Sequence, residues 1–396
     1  MYSSYRFIKT WDDLAEKLNE AYKEYYEMNG DLRKKMPEIM GDTQVIPEKI
    51  KKLYEFSRDG IETDWLATIY PRNKPGEVLE KRKGTPTEKN FLLLSMLRDA
   101  GIEAKPMLIS TRRNGTLIEN WPQLGQFDRV IVYAEYGSQK YFMDAADRYC
   151  PFCVLPQNDI VSKGLVIDES RGKIVDIPPP GNNNMTEIQG VMKLDSDGNL
   201  EGKFIMHLKG YRDIAMREKL NTTDMEKYIS ELLTDQFSDA KLDTFEIAHL
   251  DSLNLPLAIT LNFSVPEFAQ IVNDNIYFSL PFLNSQHKNP FRRAKRFFPV
   301  DFNYIFRNSE NIELSIPKEF EIAELPAQKT LNIKSANYVL QLASGEKGLS
   351  IRRNFNLDKT IFYPSEYGFL RSFYGEMVSA DQGQVVLRRI PDAAGN

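Results

Sequence analysis

Apolar residues recur at helical spacing near the start of the chain, at Trp11, Leu14, Ala15 and Leu18, which predicts helical structure across residues 10–60 with Thr10 or Asp12 as its cap. A second helix follows from Ile46-Pro47-Glu48, with Ile50, Leu53, Tyr54 and Ile61 on one face. Pro47 is tolerated there because N–H groups in a first helical turn have no partner to lose. Polar and turn-forming residues dominate from Pro71 to Gly84. The sharpest helix signal is TPTEKNFLLLSMLRDAG, residues 85–101. Thr85 and Glu88 form a Thr-x-x-Glu capping box, Pro86 takes the first helical position, and Gly101 supplies the stop. Leu92, Leu93, Met96, Leu97 and Ala100 give this helix a wide apolar face, so it should lie against a core.

Strand-like runs come next, at 103–110, 129–136 and 139–144, the last two joined at Gly137-Ser138 as a hairpin. The composition DIPPPGNNN over 176–184 suits neither a helix nor a central strand, and marks a domain boundary. Beyond it, 187–195 and 200–209 flank the turn signal Ser196-Asp197-Gly198-Asn199. Leu257, Ile259, Leu261, Phe263 and Val265 alternate as in a half-buried strand. A helical interlude near 211–238 carries Ile229, Leu232, Leu233 and Phe237 on one face, and the remainder to Ile390 reads as short strands. The expected class is α+β: a helix-plus-antiparallel-sheet domain over 1–175, then a mostly antiparallel β domain over 185–396.

Charge narrows the partners. The 51 basic and 56 acidic residues are interspersed and sum to −5, which leaves no broad field for nucleic acid, so none is expected as a partner. No apolar run approaches the roughly 20 residues that span a bilayer, and MYSSYRFIKT lacks a signal peptide's charged-then-apolar order. The two cysteines, Cys150 and Cys153, are too few for a disulfide framework.

Four segments together resemble the bacterial transglutaminase-like superfamily, a papain-related fold, in a cell-envelope subgroup with flanking β domains of unknown function. They are KKLYEFSRDGI, KGTPTEKNFLLLSMLRDAGIEAKPMLISTRRNG, QFDRVIVYAEYGSQKYFMDAAD and VLPQNDIVSKGLVID. The likeness covers residues 10–170 and, more loosely, the later strands. Active members use a cysteine at a helix start, where the positive helix end lowers the thiol pKa, a histidine that takes its proton, and an aspartate that orients the imidazole. Counted from Gly101, the nucleophile position is Pro86; the histidine position is Arg129; only the aspartate, Asp144, is kept. Proline offers no nucleophile and arginine no proton acceptor. The three histidines, His207, His249 and His287, all lie beyond the boundary, so Thr85 or Thr87 has no base to activate it. The resemblance therefore implies a pseudoenzyme that binds peptide, protein or polysaccharide, with Thr85, Thr87 and Trp121 as candidate groove residues and no cofactor or metal. It also implies a periplasmic or envelope location, and relatives that begin earlier with a signal peptide and a β domain.

Three further motifs have ordinary readings. Cys150-Pro151-Phe152-Cys153 has the CxxC form, but Val154-Leu155-Pro156 forbids the helix a redox pair needs, and no second ligand pair completes a zinc site. The alternative function is a cysteine-dependent amidase or acyltransferase that uses Cys150 or Cys153. Phe291-Arg292-Arg293-Ala294-Lys295-Arg296-Phe297-Phe298 could bind phosphate, acidic glycan or nucleic acid, yet a loop-and-strand edge whose basic side chains discourage pairing is the simpler expectation. Asp195-x-Asp197-Gly198-Asn199 lacks a calcium loop's distant glutamate, and reads as a turn.

Overall fold

Three helices, not two, occupy the first helical stretch: α1 (Trp11–Tyr22), α2 (Gly30–Met40) and α3 (Ile46–Asp59). The computed structural model describes residues 8–181, 184–345 and 348–391, in two compact units, Met1–Pro180 and Gly181–Asn396. Thr10 caps α1 as expected, its hydroxyl accepting from Asp13 N at 3.1 Å while the Asp13 carboxylate accepts from Thr10 N at 3.0 Å. Asn29 caps α2 in the same manner, accepting from Leu32 N at 2.9 Å. A short helix, α4 (Pro75–Lys81), stands where turns were expected. Its seven residues hold one buried apolar pair, Val78 and Leu79, too short a pattern to show a period. Two short strands, β1 (Glu62–Thr63) and β2 (Lys83–Gly84), pair in parallel just before the central helix.

That helix, α5 (Pro86–Asp99), starts and stops where its caps predict, with Gly101 at φ +74 just past its end. It packs on α3 and α4 and also on β3 (Ala104–Ile109) and β4 (Arg129–Tyr136). The wide apolar face is therefore an understatement: every residue from Pro86 to Leu97 is buried. With β5 (Gln139–Met143), β6 (Lys163–Asp168) and β7 (Arg171–Asp176), the strands form one antiparallel sheet in the order β5-β4-β3-β6-β7. Gly137 turns the β4–β5 hairpin at φ +60 and sets Tyr136 opposite Gln139.

The second unit is built on β8 (Met185–Leu194), whose side chains alternate buried and exposed, and β9 (Leu200–Lys209), joined by the expected turn. Asp195 closes that turn by accepting from Asp197 N and Asn199 N at 2.9 and 2.8 Å, so it is a hairpin and not a cation loop. The interlude is two helices, α6 (Tyr211–Thr222) and α7 (Met225–Thr234), with Ile229 and Leu233 in the core. Then come β10 (Lys241–Ala248), β11 (Leu257–Val265), β12 (Gln270–Val272), β13 (Asn275–Ser279), β14 (Val300–Asp301), β15 (Phe306–Ser315), β16 (Phe320–Glu324), β17 (Lys329–Ile333), β18 (Ala336–Gly345), β19 (Gly348–Leu357) and β20 (Ile361–Phe362). An eight-stranded sheet runs β10-β11-β9-β8-β15-β19-β18-β17, antiparallel except where β8 meets β15. A helix not read from the pattern, α8 (Tyr367–Asp381), precedes the last strand, β21 (Gln384–Arg389), which joins the four-stranded sheet β12-β13-β21-β16. Its buried residues, Tyr367, Leu370, Phe373, Tyr374, Met377, Val378 and Asp381, include large aromatics that a pattern search takes for strand. Asp381 accepts from Arg353 at 2.7 and 2.8 Å and from Tyr338 Oη at 2.7 Å, which bonds α8 to β19 and β18.

The start of α5 depends on one carboxylate. Glu88 accepts from Thr85 N at 2.8 Å, completing the capping box, and its other oxygen accepts from Arg72 N, Asn73 N and Asn73 Nδ2 at 3.0, 2.8 and 2.9 Å. Burial alone would raise its pKa, but these donors outweigh it and hold the carboxyl below its usual range. Glu88→Ala should lower the unfolding free energy of the first unit by about 2–3 kcal/mol, because it leaves the buried Thr85 N–H and three part-buried donors without their acceptor. A depressed carboxyl stabilises fully above its unfolded pKa, so the difference from wild type should shrink as pH falls below about 4. Urea unfolding followed by tryptophan fluorescence checks both, since Trp11, Trp65 and Trp121 all lie in the first unit. A shift below about 0.5 kcal/mol at neutral pH rejects the assignment.

Candidate functional site

Because α5 is enclosed on all sides, its polar residues must find partners inside the unit. Lys89 donates to Arg58 O, Ile61 O and Thr63 Oγ1 at 3.0, 2.7 and 2.9 Å. Burial pulls its ammonium down to about 8, although Asp144, Asp59 and Asp147 oppose the shift. Asn90 spans helix and sheet: its Nδ2 donates to Val130 O at 2.9 Å and Asp144 Oδ1 at 2.8 Å, and its Oδ1 accepts from Ala145 N at 2.9 Å. Of the three positions singled out from sequence, Arg129 and Asp144 come together, and Asn90 of the helix that Pro86 begins holds Asp144. Pro86 is the buried first residue of α5, Arg129 opens β4 opposite Ile109 of β3, and Asp144 follows the last residue of β5.

Asp144 is fully buried, and its Oδ1 also accepts from Ala146 N at 2.8 Å. Its Oδ2 faces Arg129 Nη1 at 3.7 Å, an ion pair too long for a hydrogen bond. The pattern gave no hint of a second carboxylate, Asp159, which is also fully buried and lies 4.0 Å from Arg129 Nε. Burial first, then the neighbouring Asp144 carboxyl, drive the Asp159 pKa well above the usual carboxylate range. Arg129 Nη1, Asp144 Oδ2 and both Asp159 oxygens find no hydrogen-bond partner among the described residues. A buried cation therefore faces two carboxyl groups, Asp144 at 3.7 Å and Asp159 at 4.0 Å, and the second of these has its pKa raised by burial and by the first. Trp65 stands over Arg129, its ring centre 5.9 Å from the guanidinium carbon, and is 63% exposed.

Two expected groove residues are corrected by this geometry. Thr85 and Thr87 are buried, with the Thr85 hydroxyl accepting from Glu88 N and the Thr87 hydroxyl donating to Thr68 O, so both close the helix start and neither lines a groove. Trp121 does reach solvent, at 55% exposure, in the segment between β3 and β4. Trp65 and Asp159 were missed because neither belongs to a spacing pattern; only tertiary contact with Arg129 singles them out.

The cysteines offer no ready nucleophile. Cys150 is buried at 0% exposure, and burial, then Asp147, push its thiol well above the ordinary value. Its carbonyl accepts from Tyr54 Oη and Arg58 Nη1 at 3.1 and 3.0 Å. Cys153 reaches the surface in a left-handed conformation, φ +62, but the chain packed round its sulfur pushes the thiol up to about 12. Among the described residues no three His, Cys, Asp or Glu side chains converge as a metal site, and no helix is long and apolar enough to cross a membrane. The basic cluster, Arg292 to Pro299, is an exposed loop that ends at the short strand β14.

Comparison with known proteins agrees with this architecture. Residues 33–140 match the transglutaminase-like superfamily, and residues 274–387 match a domain of unknown function with solved structure, DUF3858. No curated protein sequence matches the chain. The crystal structure of a "putative protease" from Parabacteroides distasonis superposes on 95% of this chain with a TM-score of 0.55 and 13% identity, a likeness of fold. This chain spans 58% of that protein's length. With a helix capped at Thr85, an antiparallel sheet packed on it, and a family match over residues 33–140, the chain has a transglutaminase-like domain at its N-terminal end, followed by a β-rich region.

Proposed function

We propose that this is a non-catalytic member of its superfamily, a binding or scaffold protein of the cell envelope that takes peptide or polysaccharide beside Trp65. Residues 1–175 and 185–396 would be its two domains. The observation that supports this reading is the cluster of Arg129, Asp144 and Asp159. The resemblance assigns the thiol, imidazole and carboxylate positions to Pro86, Arg129 and Asp144; Arg129 faces Asp144 at 3.7 Å, and Asp159 lies 4.0 Å from Arg129 as a second carboxyl group. Arginine at the histidine position keeps the aspartate charge-matched while removing the base. Exposed Trp65 above Arg129 and exposed Trp121 supply stacking faces of the kind that hold sugars or peptide side chains. The envelope location follows from the family resemblance, and cell fractionation tests it.

Thiol chemistry separates this reading from a cysteine enzyme. Cys150 and Cys153 should both resist iodoacetamide at pH 7, with labelling that accelerates only as pH climbs past about 9, since raised thiol pKa values leave little thiolate at neutrality. Rapid stoichiometric labelling of either cysteine at pH 7 would sink the proposal. Conversely, Pro86→Cys with Arg129→His should give a thiol that labels at least about tenfold faster than Cys153, because a cysteine at the first helical position feels the helix end. Failure of that variant to label would mean the groove has closed.

The charge cluster yields a pH signature. Asp159 keeps its proton in the folded state to a higher pH than in the unfolded chain, where it titrates near 4. Its contribution is therefore fully present below about pH 4 and is lost as pH rises toward the folded value, by up to about 1.4 kcal/mol per pH unit. Asp159→Asn, which stays neutral, should escape that loss. Between pH 5 and pH 7 the variant's stability should gain on wild type, as read by urea unfolding of the tryptophan-bearing unit; parallel profiles for the two proteins would overturn the assignment of the proton.

A further inference from the structure

The loop from Arg292 to Pro299 in the second unit has no part in the site above. Its base is fixed. Phe291 is buried edge-on against Tyr367 and Tyr374, with ring centres at 5.8 and 4.9 Å. Tyr367 Oη donates to Arg293 O at 2.8 Å, Arg371 Nε donates to Phe291 O at 3.1 Å, and Asn289 Nδ2 donates to Arg371 O at 2.8 Å. The far end is held where β14 pairs with β20. Between these anchors every residue from 292 to 299 is exposed, with Phe297 at 90% and Phe298 at 79%. Single exposed apolar residues are ordinary, but two adjacent rings held outward on a tethered loop are not.

The surroundings share the same character. Lys288, Arg292, Arg293, Lys295 and Arg296 carry positive charge, and no aspartate or glutamate occurs from Ser285 to Val300. The elements that hold the loop add exposed Ile361, Tyr363 and Phe369, while Glu366 beside them is neutralised by Lys359 at 2.6 Å.

We propose that this face docks peripherally on an anionic lipid surface, with Phe297 and Phe298 entering the headgroup layer and Arg292, Arg293, Lys295 and Arg296 lying on the lipid phosphates. The rings project from a loop instead of lining a concave site, which suits a soft interface better than a preformed pocket. The cations are local, and the chain as a whole is acidic at −5, so attraction is confined to this face. Nucleic acid would call for a longer basic track than one loop offers.

Co-sedimentation of the full chain with vesicles tests the proposal. It should sediment with vesicles of phosphatidylglycerol and phosphatidylethanolamine in equal parts, and not with phosphatidylcholine vesicles, and added salt should release it. Phe297→Ser with Phe298→Ser should weaken partitioning at least about tenfold. Arg292→Glu with Lys295→Glu should weaken it by about fivefold or more for each charge removed. Both variants alter exposed side chains, so circular dichroism and thermal unfolding should match wild type. The proposal is overturned if the anionic vesicles leave the chain in the supernatant, if the double serine variant still sediments, or if duplex DNA or polyglutamate strips the chain from vesicles while binding it more tightly.

Discussion

A helix with no face left for water forces a particular solution on everything round it. α5 is buried from Pro86 through Leu97, so Lys89, Asn90 and Ser95 must be satisfied by neighbouring chain, and each one binds a different neighbour. Lys89 collects the carbonyls that end α3, Asn90 ties the helix to β4 and to the turn after β5, and Ser95 reaches Tyr25 O at 3.2 Å. Such contacts act as a jig. An unpaired amide or ammonium at this depth costs more than its hydrogen bond is worth when made, so the short strands, the Arg72-Asn73 loop and the β5 turn are held at fixed places.

The same jig sets the electrostatics of the cluster. Asn90 and Ala146 N both donate to Asp144 Oδ1, leaving its second oxygen toward Arg129. Arginine brings one positive charge to two carboxyl groups, and burial beside Asp144 raises the pKa of Asp159. Arg129 faces both carboxyl groups without a close hydrogen bond to either, since neither contact is shorter than 3.7 Å. Replacing the aspartate would not strand the guanidinium, because Asp159 could then ionise beside it; a simple pairing of Arg129 with Asp144 leaves this second counter-ion out.

How much of this could be read from sequence depends on whether a signal is local. Thr85, Pro86, Glu88 and Gly101 act within a turn or two of the chain, and they mark α5 correctly at both ends. The hairpins at Gly137 and Gly198 were legible for the same reason. α4 escaped because seven residues show no period, and α8 because Phe369, Phe373 and Tyr374 resemble strand residues until the helix is seen packed on the sheet. Asp159 and Trp65 carry no local signal: Asp159 ends a single 3-10 turn and Trp65 lies in a loop, and the meaning of each comes from Arg129, distant in sequence. Thr85 and Thr87 failed in the opposite sense, since hydroxyls that look available are consumed in building the helix start.

The one parallel pairing in the large sheet bears on how the second unit is made. β8 has β9 on one side, delivered at once by a hairpin, but its other edge is completed only by β15, where Met185 meets Arg307. A ribosome must therefore deliver α6, α7 and six further strands, β10 to β15, before the centre of the sheet can close. Until then β8 shows an open edge to other chains. Contacts so remote in sequence are slow to form and leave intermediates prone to mispairing. Production of this protein should thus be limited by its second half, and cooler, slower synthesis or a chaperone that shields the β8 edge should raise the folded yield.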